Sequence, residues 1–285
     1  MSIFNMVGGG GYKRVGNDWF NRSTLPYNFH EGSAVVFNNE INILGGNKDG
    51  FYIGYKNHYK WNGSTWESVS TLPYNFYRGS AVVLNNEIHI LGGDGNGKKH
   101  YKWNGSKWES VSTLPYSFFY GSAVVLNNEI HILGGYSYSG NDTKHYKWNG
   151  STWESVSTLP YGFGDGSAVV LNGEIHILGS DSSSYNTKHY KWNGPNWTSV
   201  STIPYGFHGG SAVVLNDEIH ILGSGATEHA SKHYKWNGST WERVSTLPYD
   251  FYNGSAVLFD NEIHILGGDN NETNHYSYSN VYIKA

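Results

Sequence analysis

Residues 72–115 read LPYNFYRGSAVVLNNEIHILGGDGNGKKHYKWNGSKWESVSTLP, and close variants of this stretch recur along the whole chain. Four short strands can be read in it from alternation and turn chemistry. Strand a is Ser80 to Leu84, closed by an Asn85-Asn86 turn. Strand b is Glu87 to Leu91, with Ile88 and Ile90 on one face, and it ends at Gly92-Gly93. Strand c is His100 to Trp103, and the Asn104-Gly105 that follows is a strong two-residue hairpin signal. Strand d runs from Trp108 to about Thr113, before Leu114-Pro115 carries the chain into the next copy.

The prolines of this step fall at Pro26, Pro73, Pro115, Pro160, Pro204 and Pro248, with spacings of 47, 42, 45, 44 and 44. Gly-Ser-Ala-Val follows each of them, with serines at Ser33, Ser80, Ser122, Ser167, Ser211 and Ser255. Four antiparallel strands in a unit of about 44 residues mark a propeller blade. The expected fold is therefore all-β, a six-bladed β-propeller occupying residues 1–285 as one domain. The first a–b hairpin is preceded by a d-like strand at Trp19 to Thr24, and the last is followed by a c-like strand at His275 to Tyr278. The N-terminal strand is thus expected to complete the last blade and remove the open edges of a linear array. Both ends carry a surplus: Tyr12, seven before Trp19, reads as the remnant of a c strand, and Val281 to Lys284 as an extra d-like strand.

Strand b ending in Gly-Gly, followed by a Tyr and a Trp at fixed spacing, resembles the kelch motif. The pairs are Tyr59 and Trp66, Tyr101 and Trp108, Tyr146 and Trp153, Tyr190 and Trp197, Tyr234 and Trp241, each seven apart, and the resemblance covers nearly the whole chain. Gly179-Ser180 and Gly223-Ser224 depart from it, which weakens the expectation of one backbone geometry at the second glycine. Units this alike resemble recently amplified kelch-like repeats of bacteria and phages.

Composition narrows the function classes. With 15% charged residues and a net charge of −4, the chain lacks the basic footprint of a nucleic-acid binder. The absence of cysteine excludes disulfides, thiolate metal sites and a cysteine nucleophile. Met1 to Gly10 does not read as a signal peptide, and no apolar run approaches the ~18 residues of a membrane span. A monomeric, cytoplasmic protein without a cofactor is the resulting expectation.

Most chemically suggestive residues sit at repeated positions and read as architecture. Eleven of the fourteen histidines do so: His89, His131, His176, His220 and His264 on strand b, and His58, His100, His145, His189, His233 and His275 on strand c. Metal ligands must converge to ~2.0–2.1 Å from one ion, whereas these are spread around a ring, so no metal is expected. All eleven tryptophans occupy two blade positions, as in Trp61 and Trp66, and are expected to pack between blades or over the outer strands. The sequons at Asn62 and Asn149 are explained by the Asn-Gly turn.

Function is sought where the copies disagree. The a-to-b and c-to-d turns open on one face of the disc and hardly vary; the d-to-a and b-to-c connections open on the other and do. The positions just before each Gly-Ser-Ala-Val are expected to line the mouth of the central channel. They are His30 and Glu31, Tyr77 and Arg78, Phe119 and Tyr120, Gly164 and Asp165, His208 and Gly209, Tyr252 and Asn253. Aromatic rings with an arginine, carboxylates and imidazoles form a recognition surface, and in kelch propellers that bind partners the same rim is the contact surface. The b-to-c loops, rich in Gly, Ser, Asn and Tyr and including Tyr136 and Tyr138, form a second shell.

Enzymatic readings lack parts. Copper oxidases on a kelch-like propeller resemble this fold but use a cysteine-modified tyrosine. Sialidases on six-bladed propellers use three arginines, whereas of Arg14, Arg22, Arg78 and Arg243 only Arg78 falls on the rim. Asp165 with His30 or His208 is the remaining acid–base candidate. The expectation is a non-catalytic scaffold that binds a protein segment at the rim, with glycan or receptor recognition, or a scaffold without a dedicated ligand, as the alternatives.

Overall fold

Burial peaks at the second strand of each unit and is lost at the fourth, and this pattern accompanies the strand order. In Glu87–Leu91 four consecutive residues are buried, in Ser80–Leu84 alternate ones, and in Trp108–Thr113 none. A strand apolar on both faces belongs between neighbouring sheets, while one with polar outer positions belongs at the rim. The computed structural model describes residues 12–48, 53–93, 97–137, 140–180, 186–269 and 273–284; for 12–15, 48, 53, 137, 140–141 and 281–284 it describes the backbone alone.

The chain forms six four-stranded antiparallel sheets arranged as the blades of a propeller. Numbered by their innermost strands, blades 1 to 6 begin at Ser33–Phe37, Ser80–Leu84, Ser122–Leu126, Ser167–Leu171, Ser211–Leu215 and Ser255–Phe259. Blade 2 continues through Glu87–Leu91, Lys99–Trp103 and Trp108–Thr113, so strand c begins one residue earlier than the sequence suggests. Among the described residues there is no helix, and hence none long and apolar enough to cross a membrane.

Blade 6 takes its outer strand from the N-terminus. Tyr12–Thr24 pairs antiparallel with Asn274–Lys284, from Thr24 opposite Asn274 out to Tyr12 opposite Lys284. Both terminal surpluses are thus ordered, against each other. Tyr12 lies on the same strand as Trp19 rather than on a c strand, and Val281 to Lys284 prolongs strand c rather than forming a fourth strand. The reason is the turn: the other copies place Asn-Gly between c and d, whereas this segment reads Val15-Gly16-Asn17 and meets a partner strand from the other terminus.

The core lies between blades. Val35, Phe37 and Leu44 of blade 1 pack against Ile88, Ile90 and Trp103 of blade 2, with Leu72, Tyr74 and Phe76 of the connection wedged between them. The equivalent cluster joining blade 6 to blade 1 contains Val257, Phe259 and Leu266 with Leu25, Phe29, Ile41, Ile43 and Trp61. Phe29, Phe76, Phe118, Phe163, Phe207 and Phe251 are all fully buried, each worth ~1.5–3 kcal/mol of transfer free energy. The first glycine of Gly-Gly is required where this packing is tightest: at Gly92, φ is +65° and an added Cβ would lie 1.8 Å from the Phe118 carbonyl oxygen. The second position varies. Gly46, Gly135 and Gly268 have φ of +106°, +105° and +109°, Gly93 has +66°, and Ser180 and Ser224 stay out of the left-handed region.

The repeated histidines link the outer strands. Trp108 Nε1 donates to Ser70 Oγ of the preceding blade at 3.0 Å, and Ser70 Oγ lies 2.8 Å from His58 Nδ1. His58 Nε2 donates to Asn42 Oδ1 at 2.9 Å; the Asn42 amide nitrogen faces the Glu40 carbonyl at 3.1 Å, which assigns the acceptor oxygen and with it the imidazole tautomer. Strand b of the other blades offers a histidine instead, as in His89 Nδ1 to His100 Nε2 at 2.8 Å. Trp19 Nε1 to Ser245 Oγ and Trp66 Nε1 to Ser23 Oγ carry the same link across the two junctions of blade 6. Burial pushes these imidazoles down from 6.5 to about 4 at His58, His89, His131, His176 and His220, and to about 3 at His100, His145, His189 and His264. His233 is held well below its ordinary value and His275 at about 2, for the same reason.

Candidate functional site

Each d-to-a connection must turn sharply over the fully buried phenylalanine before entering the innermost strand. It does so through one left-handed residue: Glu31, Arg78, Tyr120, Asp165, Gly209 and Asn253 have φ between +54° and +63°. In this conformation each backbone N–H points at the carbonyl of its counterpart in the preceding blade. Arg78 donates to Glu31, Tyr120 to Arg78, Asp165 to Tyr120, Gly209 to Asp165, Asn253 to Gly209 and Glu31 to Asn253, at 2.7–2.8 Å, so six bonds close a ring around the axis. A second ring follows beneath: the N–H of Ala34, Ala81, Ala123, Ala168, Ala212 and Ala256 donates to the serine Oγ of the preceding blade at 3.0–3.1 Å.

The six left-handed residues and the glycines after them line an axial cavity of about 130 Å³. Of the residues expected at the mouth, Glu31, Arg78, Tyr120, Asp165, Gly209 and Asn253 line it. His30, Tyr77, Phe119, His208 and Tyr252 do not; their backbones and rings sit one step outward, against the b-to-c loops. Asn47 N–H donates to the His30 carbonyl, Tyr136 to Phe119, Gly225 to His208 and Asp269 to Tyr252, while Tyr77 packs on Gly54.

The cavity is unequal around its circumference. On one side the Glu31 carboxylate is almost wholly buried and accepts three hydrogen bonds: from Arg78 Nε at 2.8 Å, Tyr120 Oη at 3.1 Å and Asn47 Nδ2 at 2.9 Å. The Arg78 guanidinium also lies 4.7 Å over the Tyr120 ring and 5.5 Å over that of Tyr77. On the other side stand Asp165, Gly209 and Asn253. Asn253 Nδ2 donates to Asp269 Oδ2 at 3.3 Å, whereas no described residue hydrogen-bonds the Asp165 carboxyl group. Burial first, and the charge of Glu31 second, raise Asp165 to about 7, against the opposing pull of Arg78. Burial likewise raises Asp269, and raises Tyr252 to about 12 with Asp165 adding to the effect.

Asp165 faces the cavity but His30 and His208 do not, so the acid–base pairing considered from sequence is not assembled around the axis. Among the described residues no group of three His, Asp or Glu side chains could hold a metal ion. The b-to-c loops contribute Asn47, Tyr136 and Asp269 to the surroundings; Tyr136 packs edge-on against Tyr120 at 5.2 Å. Residues 49–52, 94–96, 138–139, 181–185 and 270–272 of these loops, Tyr138 included, lie outside the described residues. The closed hydrogen-bond ring escapes sequence reasoning, although Gly209 among bulkier counterparts hints at a conformation that suits glycine.

No protein-family model matches the chain, and no curated protein matches it. A solved structure does: that of YjhT superposes with a TM-score of 0.75 over 92% of this chain and 96% of that one, at 14% identity. The likeness supports the propeller fold.

Proposed function

We propose that this chain is a kelch-like, non-catalytic binding scaffold that recognises a protein segment through the mouth of its varied face. The observation that carries the reading is the chemistry of the left-handed ring. Gly209, Asp165 and Asn253 are of types that suit that conformation, yet the other three ring positions carry Glu31, Arg78 and Tyr120. Strained backbone retained at convergent side chains is a mark of function rather than of folding. The cavity of about 130 Å³ admits the end of one side chain, not a whole strand; apolar cavities of ~150 Å³ take a molecule the size of benzene. A bound segment therefore lies across the mouth and inserts a single group.

Panning a displayed peptide library on the immobilised chain tests this reading. It should enrich peptides whose binding falls at least tenfold with Arg78→Ala or Tyr120→Ala and is unchanged by Asn104→Ala on the opposite face. Failure to enrich any sequence, or equal binding to all variants with native melting temperatures, overturns the proposal.

A further inference from the structure

We infer that the group inserted into the mouth is a primary ammonium, a lysine side chain or a free amino terminus, seated against Asp165. This rests on the binding proposal and names the chemistry of the partner. Three carboxylates influence the cavity, those of Glu31, Asp165 and Asp269, against one guanidinium, and Arg78 is already committed to Glu31. Glu31 is saturated by three donors. Asp165 receives no hydrogen bond from any described residue, lines the cavity and is partly buried. A partly buried carboxylate that no described residue hydrogen-bonds is available to a donor entering the cavity.

An incoming anion would face these carboxylates, and a neutral group would leave the Asp165 charge uncompensated. An ammonium is a compact charge with three donors, which suits one carboxylate on the wall of a small cavity better than a planar guanidinium with five. Next to Asp165 the ring carries Gly209, which adds no side chain to the cavity; the space a Cβ would take there is filled by Tyr252, at 2.1 Å, and by Asn253 Oδ1, at 3.2 Å. The ligand cation thus meets the Asp165 carboxylate and the Asn253 amide oxygen, whose nitrogen is engaged by Asp269.

Binding is linked to a proton. Free Asp165 titrates at about 7 and must be ionised to receive the cation, so affinity rises as pH increases from 6.5 to 8, by about fourfold from the ionised fraction. Titration of the intact chain with n-butylammonium, followed by amide chemical shifts, tests this directly. Saturable shifts at Asp165 and Tyr120, absent with butyrate, are expected. Asp165→Asn, which suits the left-handed backbone and removes only the charge, should weaken binding at least tenfold and abolish the pH dependence. Butyrate binding as tightly as butylammonium, or unchanged binding by D165N, overturns the inference. The enriched peptides separate the two proposals. If they bind equally after acetylation of their amines, the ammonium inference falls and the scaffold reading stands. If no peptide enriches while butylammonium binds at Asp165, the cation site stands and the protein-segment reading falls. If glucosamine binds there and lysine amide does not, the source of the ammonium is a sugar and the peptide assignment is overturned.

Discussion

Both faces of the disc demand left-handed residues, and they fill them differently. On the uniform face the a-to-b turns place two left-handed residues in succession, and each is Asn, Asp or Gly: Asn38-Asn39, Asn85-Asn86, Asn127-Asn128, Asn172-Gly173, Asn216-Asp217 and Asp260-Asn261. These residue types tolerate the conformation best. On the varied face the ring holds Glu, Arg, Tyr, Asp, Gly and Asn at nearly the same φ, although an ordinary L-residue there is disfavoured by roughly 1–2 kcal/mol. One face is composed for its backbone, the other for its side chains.

The largest expected effect comes from the layer between the faces and acts on both. Eleven buried imidazoles are neutral in the folded chain because burial holds them at about 4 or lower, whereas the unfolded chain binds protons near 6.5. A depressed folded-state value contributes stability above pH 6.5 that is lost as pH falls toward the folded value. Each histidine then loses about 1.4 kcal/mol per pH unit, and by pH 5.5 the sum over eleven reaches roughly 15 kcal/mol, as large as the stability of an ordinary domain. Far-ultraviolet circular dichroism and tryptophan fluorescence should show cooperative unfolding between pH 6 and pH 5. A native signal at pH 4.5 would show that the imidazoles accept protons within the fold.

A smaller effect separates backbone demands at the two faces. Gly92 ends strand b on the varied side, where a Cβ would lie 1.8 Å from the Phe118 oxygen. Gly105 sits in a c-to-d turn of the uniform side at φ +93° with nothing within 4 Å. Gly92→Ala should cost about 3 kcal/mol or more, because backbone must move, and Gly105→Ala about 1 kcal/mol of conformational strain. Equal losses in denaturant melts would mean that the tight approach of Gly92 to the next blade is relieved cheaply, and the varied face would then be as plastic in backbone as in sequence.

The sequence made most of this comparison legible. Periodicity located the blades because strand b needs apolar residues on both faces, and the turns announced themselves because Asn-Asn and Asn-Gly fit few other conformations. Glu31, Arg78, Tyr120, Asp165, Gly209 and Asn253 were found at the mouth because they directly precede the innermost strands. Their neighbours His30, Tyr77, Phe119, His208 and Tyr252 were placed there too, one residue too generously, since they are engaged by the b-to-c loops, whose contacts the sequence does not display. The N-terminal strand closes the last blade as expected, and only the surplus at the termini differs: the spacing from Tyr12 to Trp19 imitates the repeat, but without an Asn-Gly turn the segment stays extended. The hydrogen bonds to Glu31 come from Arg78 and Tyr120 in the next two copies and from Asn47 beyond strand b of its own copy, and leave no short-range pattern to read.

The smallest of these effects bears most directly on what distinguishes the faces. Asp165→Gly recreates at blade 4 what blade 5 already has at Gly209, with φ of +63° and +60° at the two positions. Asp tolerates this backbone better than most residues, so relief of strain favours the glycine by only roughly 0.5 kcal/mol, which the added freedom of the unfolded chain offsets. A second contribution depends on pH. Asp165 is raised to about 7 by burial, and a raised carboxyl contributes stability at low pH that is lost as pH rises through the folded value. The wild type therefore weakens between pH 6.5 and pH 8 while the variant does not. The variant should melt higher than wild type, by a margin about 1 kcal/mol wider at pH 8 than at pH 6.5, and should bind butylammonium poorly. The mirror substitution on the uniform face, Asn172→Gly, should change stability by no more than a few tenths of a kcal/mol at either pH. If Asp165→Gly instead destabilises the ring as any lost contact would, the side chain is there for folding, and the contrast between the two faces loses its functional meaning.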